Sequence, residues 1–280
     1  MKTSVSSYCF SSLGFTEEEV IASAAEIGFD AVEFTDLSAK DPSEEIKKAD
    51  ALRLLAEKHG ITVSGYSISA DIMSDDGRDL GGEIERVKRK VDVAAALGAP
   101  LLRHDATFRF PKGGKSFSDI LDSMADAARK ITEYAAEKGV RTATENHGMF
   151  CQASDRMLSL VKAVDHPNYG LQVDMGNFLC VDDDPLSAVT ACAPYAFNLH
   201  VKDFYYRKKS DPPTDDGWFT NLDGNYLRGT VAGHGIVPVK KCVESATSLG
   251  YDGYLTLEFE GTEEVFYAVK EGLRVIKELI

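Results

Sequence analysis

Residues 137–146 read EKGVRTATEN. A charged helix end runs into a Gly stop, and a β-branched strand then closes on Glu145. A similar joint, EKHGITVSGY, occupies 57–66. A second pair, GFDAVEF at 28–34 and GYDGYLTLEF at 250–259, makes the same passage from a Gly-terminated helix into a strand. A strand-plus-helix unit that recurs along a chain predicts a closed parallel barrel, here a single (β/α)8 TIM barrel of the α/β class. An open doubly wound sheet is disfavoured, because no Gly-rich dinucleotide fingerprint follows the first strand.

The alternation extends over the whole chain. TSVSSYCF (3–10) reads as a strand, and Thr16-Glu-Glu-Glu19 opens a helix with a capping box that runs to Gly28. FDAVEF (29–34) follows, then a helix from Pro42 to near Gly60, then ITVSGYSI (61–68). Helices are expected at about 83–97, 117–138, 154–165, 185–192, 238–249 and 262–279. The remaining strands are APLLRHDA (99–106), RTATEN (141–146), GLQVDM (170–175), AFNLHV (196–201) and YLTLEF (254–259). The count is eight of each in strict alternation, so residues 1–280 are read as one barrel domain. One connection is too long for an ordinary βα loop: about 204–237, rich in Pro, Gly, Asp and aromatics and holding the only Trp, Trp218. Inserted after the seventh strand, it is expected to act as a lid or substrate-recognition loop.

A chain of 280 residues with 44% hydrophobic residues has ample material for such a core. A net charge of −14 disfavours phosphate backbones, so no nucleic-acid partner is expected. No run approaches the ~20 apolar residues of a membrane span, and no signal-peptide pattern opens the chain. Five scattered Cys without a C-x-x-C spacing fit reduced thiols. A cytoplasmic protein without a membrane partner is the expectation.

Four strands end in side chains that favour metals: TATENHG (142–148), LQVDMGN (171–177), NLHVKD (198–203) and LTLEFEG (255–261). They offer Glu145, Asp174, His200 and Glu258. Three converging carboxylates would repel one another, and a dication resolves that repulsion. Oxygen ligands with one imidazole suit one divalent ion: Mn²⁺, Mg²⁺, Co²⁺ or Zn²⁺. Each residue alone is an ordinary strand-end charge; four consecutive strand ends make a specific set. Side chains two apart share a face, so His147, Lys202 and Glu260 are expected one step nearer the mouth. His104 and Asp105, ending the fourth strand, are placed to reach in from across the barrel. His59 and His166 read as surface or capping residues.

On Glu145 in ENHG, Asp174 in DMGN, His200 in HVKD, Glu258 in LEFEG and the Gly233-His-Gly235 turn, the chain resembles, nearly end to end, the xylose isomerase-like barrel superfamily of sugar and sugar-phosphate isomerases and epimerases. The resemblance implies one dication held by those four residues, with Glu145 and Glu258 flanking the substrate. HVKD is similar to the branch holding inosose dehydratases and epimerase-like proteins. In ketose 3-epimerases an Arg closely follows the His; Arg207 and Arg228 are the two candidates for its counterpart here. Many relatives carry His three residues after the Asp, where this chain has Asn177. The apurinic endonucleases of the superfamily need that His for a three-metal cluster, so Asn177 argues against a DNA-repair role.

The expected function is therefore a metal-dependent isomerase or epimerase of a sugar or sugar phosphate, working through an enediolate. Glu145 and Glu258 are its proton carriers, and His147, Asn177, Lys202, Arg228 and His104 its substrate contacts. The alternative is a metal-dependent lyase or dehydratase on a keto-sugar or inosose. Behind both stand an endonuclease-like nuclease and a non-catalytic sugar-binding protein. The partner is a small sugar or polyol, and since acidic barrels of this kind often pair, a homo-oligomer is compatible with the sequence.

Overall fold

A computed structural model describes residues 1–37, 39–74 and 77–280. The elements run β1 (Lys2–Ser6), α1 (Glu17–Ile27), β2 (Ala31–Thr35), α2 (Pro42–Lys58), β3 (Thr62–Ile68), α3 (Leu80–Ala96), β4 (Leu101–His104), α4 (Phe117–Glu137) and β5 (Arg141–Glu145). They continue with α5 (Ser154–Val164), β6 (Tyr169–Asp174), α6 (Pro185–Cys192) and β7 (Ala196–Val201). Then come β8 (Asp203–Arg207), β9 (Phe219–Thr220), β10 (Tyr226–Thr230), α7 (Val239–Ser248), β11 (Tyr254–Leu257) and α8 (Val265–Lys277). Eight strands close into one parallel barrel in the order β1-β11-β7-β6-β5-β4-β3-β2, ringed by the helices. This is the (β/α)8 architecture read from the repeated joints.

Local chemistry sets the element ends. Thr16 Oγ1 accepts from the Glu19 amide at 3.3 Å, and Glu19 Oε2 accepts from the Thr16 amide at 2.8 Å, completing the capping box of α1. Gly28 ends that helix with φ 99°, in the left-handed region that favours glycine. Asp41 caps α2 ahead of Pro42, whose missing N–H costs nothing at a first helical position. The apolar core lies between barrel and helices, filled by residues such as Val32, Phe34, Leu102, Leu160, Val173, Leu199 and Leu273. Among the described residues no helix is long and apolar enough to cross a membrane.

The barrel interior is polar. Ser4 Oγ meets Ser64 Oγ at 2.7 Å, Asn198 Nδ2 donates to Gln172 Oε1 at 3.0 Å, and Thr256 Oγ1 donates to Asn198 Oδ1 at 3.0 Å. These groups are buried and paired, as buried polar atoms must be to avoid a desolvation penalty. They form a fixed floor under whatever the mouth binds.

The long connection after β7 is more ordered than a loop. One residue past β7, the chain enters an antiparallel three-stranded sheet in the order β8-β10-β9. Its anchor is Asp203, the last residue of HVKD. The Asp203 carboxylate is buried and accepts backbone N–H bonds from Phe204 (2.8 Å), Gly233 (2.9 Å), Gly235 (2.8 Å) and Val237 (2.9 Å). The Gly-His-Gly turn follows from this: Gly233 has φ 89°, and a Cβ at 235 would collide with the Asp203 carboxylate. Asp203→Ala is expected to leave several buried amides without an acceptor. That should lower stability by about 2–4 kcal/mol, measured as a shift in the urea midpoint, with no change at the barrel floor.

Candidate metal centre and cavity

The C-terminal ends of β5, β6, β7 and the residue after β11 bring Glu145, Asp174, His200 and Glu258 together. Each offers one ligand atom, and these atoms all lie within 4.8 Å of one another. His200 Nδ1 is 3.4 Å from Glu258 Oε2, 3.8 Å from Asp174 Oδ2 and 3.9 Å from Glu145 Oε1. Among the described residues, His200 Nδ1 and Asp174 Oδ2 are buried without a hydrogen-bond partner. His200 Nδ1 without a hydrogen bond, and Asp174 Oδ2 met only by an ion pair with Lys202 at 3.3 Å, lie beside two further carboxylates, a donor set that fits one dication with bonds of about 2.0–2.2 Å.

The surroundings fix these atoms. Asp174 Oδ1 accepts from the amides of Gly176 and Asn177, both at 2.8 Å, which leaves Oδ2 facing the cage. Asn146 grips the Asp174 backbone on both sides, Nδ2 to its carbonyl at 2.9 Å and Oδ1 from its amide at 2.8 Å. His200 Nε2 lies 3.0 and 3.2 Å from the two oxygens of Glu33. A carboxylate only accepts, so Nε2 keeps its proton toward Glu33, and a metal that displaces the Nδ1 proton would meet the lone pair facing the cage. Glu33 is in turn held by Ser67 Oγ at 3.0 Å and Asn198 Nδ2 at 2.9 Å.

Lys202, two residues past His200, enters the same cage. Its Nζ is 2.6 Å from Glu258, 3.3 Å from Asp174, 3.6 Å from Glu260 and 3.3 Å from Asn177 Oδ1. Asn177 Nδ2 also donates to Glu145 Oε1 at 3.2 Å, so Asn177 bridges the carboxylate and the lysine. Burial works against the charge of Lys202, yet Asp174 and Glu258 raise its pKa well above the usual value. Burial likewise opposes a charged His200, while Glu33 and Glu258 raise its pKa well above normal. Burial would raise the Glu258 pKa, but Lys202 and His200 outweigh it and hold the carboxyl well below its ordinary range. For Glu145 burial prevails over Arg103 and His200, and the pKa rises.

A dication must compete with the proton on His200. Metal affinity should therefore rise with pH, by about tenfold per unit for each proton displaced. Calorimetric titration of the metal-free protein in buffers of different ionisation enthalpy should show proton release on binding.

A cavity of roughly 250 Å³ opens above the cage, lined by Tyr8, Arg103, Phe108, His147, Lys202 and Glu260 among others. Arg103 forms ion pairs with Glu145 and, at 2.9 Å, with Asp105. Asp105 also takes His147 Nδ1 at 3.0 Å, while the His147 ring meets Phe108 edge-on at 5.0 Å between centroids. Burial would lower the His147 pKa, but the Asp105 bond and Glu145 raise it above the usual value.

Two expected contacts lie elsewhere. His104 turns out of the barrel: its Nδ1 meets the Asp105 carbonyl at 2.9 Å, and its ring packs toward Tyr169 rather than lining the cavity. Strand alternation gives the reason, since Arg103 and Asp105 share the inward face. Arg228 does not line the cavity either. It pairs with Asp215 and packs over Trp218 and Tyr205 in a separate recess that also includes Arg207. Among the described residues none from 204–237 lines the cavity.

Fold and site together define a (β/α)8 barrel with a buried Glu/Asp/His cluster able to hold a metal at its C-terminal mouth. The chain belongs to the xylose isomerase-like TIM barrel family, whose model matches residues 21–279. A protein of Escherichia coli (strain K12), the uncharacterized YihM, is 23% identical over 180 residues, or 64% of this chain and 51% of YihM. The matched stretch thus spans about half the length of that curated relative. D-psicose 3-epimerase of Clostridium cellulolyticum H10 superposes with TM-score 0.77 and 15% identity, over 100% of this chain and 99% of that one. The IOLI protein, in a structure with a bound zinc atom, superposes with TM-score 0.77 and 16% identity, over 100% and 98%.

Proposed function

We propose that this chain is a divalent-metal-dependent isomerase or epimerase that moves a proton on the carbon next to a sugar carbonyl. The observation that carries this reading is the pairing of Glu145 and Glu258. They rise from strands three places apart in the barrel order, offer oxygens to one metal-binding cluster and both line the cavity above it. A dication held by Glu145, Asp174, His200 and Glu258 would supply Lewis-acid stabilisation for charge developing on the carbonyl oxygen. Glu258, kept ionised by Lys202, takes the proton from carbon. Glu145, paired with Arg103, returns a proton: to the same carbon for epimerisation, to its neighbour for isomerisation. Arg103 orients Glu145, and Lys202 stands beside the developing oxyanion. The fold likeness to a D-psicose 3-epimerase supports the same class.

One observation favours a second reading. His147 is oriented by Asp105 and faces the cavity, where it could protonate a departing hydroxyl and make the same site a dehydratase. Incubating the metal-loaded protein with ketoses, inososes and 3-keto-sugars in deuterated water separates the two. Deuterium at the carbon next to the carbonyl without loss of water is the expected result. Loss of water would move the assignment to the lyase. Five buried unpaired cysteines support a reducing, cytoplasmic setting.

A further inference from the structure

The insert between β7 and α7 carries a face that the barrel does not use. Its Phe204 and Leu227 are buried with Cys180 and Leu179, and so fasten the small sheet to the barrel. The strand register sets Tyr205 opposite Arg228 and Arg207 opposite Tyr226. Residues directly opposite share a face, and alternation turns these four away from Phe204 and Leu227. Trp218 joins them: the Arg228 guanidinium lies 4.8 Å from its ring centroid and the Arg207 guanidinium 5.5 Å. The recess beside this ladder, roughly 380 Å³, shares no residue with the cavity above the metal cage.

Large apolar side chains are also left in solvent here. Among the described residues twelve are exposed, and four of these, Tyr206, Phe219, Leu222 and Ile236, fall within residues 204–237. Single exposed apolar residues are ordinary, whereas a concentration of them in 34 of 280 residues marks a contact surface. Tyr206 and Phe219 flank Leu227 across the sheet, and Ile236 lines the recess with Tyr206. Trp, Tyr, Phe and Arg side by side are the composition of the buried centre of a protein–protein interface.

Charge selects the partner. Residues 204–237 hold Arg207, Lys208, Lys209 and Arg228 against Asp211, Asp215, Asp216 and Asp223, four of each sign, so the whole −14 of the chain lies outside this segment. An acidic flank surrounds it: Asp182 accepts from Asn221 and from the Asp223 amide, Glu263 accepts from Thr230, and Gly229 lies against Glu260. Two copies that repel elsewhere can approach through the neutral segment. Within one copy Asp215 is taken by Arg228, while among the described residues Arg207, Asp211 and Asp216 make no ion pair. Unpaired charges of both signs a few residues apart are self-complementary about a two-fold axis. We infer that this face joins two copies of the chain about such an axis. Trp218 and Ile236 lie at the centre of the contact, and Arg207 of each copy meets Asp211 and Asp216 of the other.

The test uses the full chain. Sedimentation at about 100 µM should give a particle of twice the 30.5 kDa chain mass. Emission from Trp218, the only Trp, should move to longer wavelength on dilution as water reaches the ring. Ile236→Glu and Arg207→Glu should each weaken pairing at least about tenfold. An unchanged circular dichroism spectrum shows that neither substitution unfolds the chain. Asp211→Lys combined with Asp216→Lys should weaken pairing likewise, and mixing that chain with Arg207→Glu should restore a heterodimer. A monomer at the stated concentration, a dimer indifferent to Ile236→Glu and Arg207→Glu, or a charge-swapped mixture that stays monomeric overturns the inference. So does Trp218 emission that is constant with protein concentration but quenched by citrate or inorganic phosphate, which would assign the recess to a small anion.

Discussion

Glu258→Gln, assayed at saturating dication, is expected to lower kcat by about a thousandfold. The substitution keeps the size of the side chain and removes only the charge and basicity. Lys202 retains Asp174 at 3.3 Å and Glu260 at 3.6 Å, so its ammonium is not left alone in the interior. The fold should therefore survive, which circular dichroism and an unchanged thermal midpoint would check. Saturating metal matters, because Glu258 is proposed both to hold the ion and to carry the proton. A weakened site that is refilled separates the two roles. A metal-filled variant that turns over at the wild-type rate would remove Glu258 from the proton transfer and shift the base to Glu145.

Glu33→Gln should weaken dication binding about 10–100-fold without touching a metal ligand. Glu33 is almost fully buried and collects His200 Nε2, Ser67 Oγ and Asn198 Nδ2 on its two oxygens. As a carboxylate it makes Nε2 the protonated ring nitrogen and points the Nδ1 lone pair into the cage. An amide can present either a donor or an acceptor to the ring, so the tautomer is no longer imposed and part of the population turns a proton toward the metal. Calorimetric titration of wild type and variant reads the difference directly. An unchanged affinity in a folded variant would mean that the lattice of Asp174, Glu145 and Glu258 orients the site without help from β2.

The sequence disclosed much of the barrel and the candidate cage for one physical reason: both are written in short local patterns. Gly-terminated helices running into β-branched strands recur, and the ligand-bearing residues sit where those strands stop. What it hid lay across the barrel or in the choice of face. Glu33 has a local signature, because GFDAVEF repeats the Glu-Phe ending of GYDGYLTLEF, yet no turn or metal-like companion marks it. Its role depends on a contact with a residue far along the chain. In LLRHDA the histidine has the more metal-like chemistry, but the same alternation that sets His147, Lys202 and Glu260 on the cavity side puts Arg103 and Asp105 inside and His104 outside. The segment 204–237 looked like a loop because its composition is that of turns. Its order comes from β8 pairing with β10 and from four amides converging on Asp203, neither of which has a local signature. Arg228 follows that sheet into the recess with Trp218, away from the cavity.

The central claim is that four strand ends hold one dication. The most direct measurement is calorimetric titration of the metal-free protein with Mn²⁺, Co²⁺ and Zn²⁺, repeated on Asp174→Ala and His200→Ala. A single site per chain is expected in the wild type, with loss of that site in both variants and the fold retained. No binding of any of the three ions to the wild type, or full stoichiometric binding by folded Asp174→Ala and His200→Ala, would contradict it.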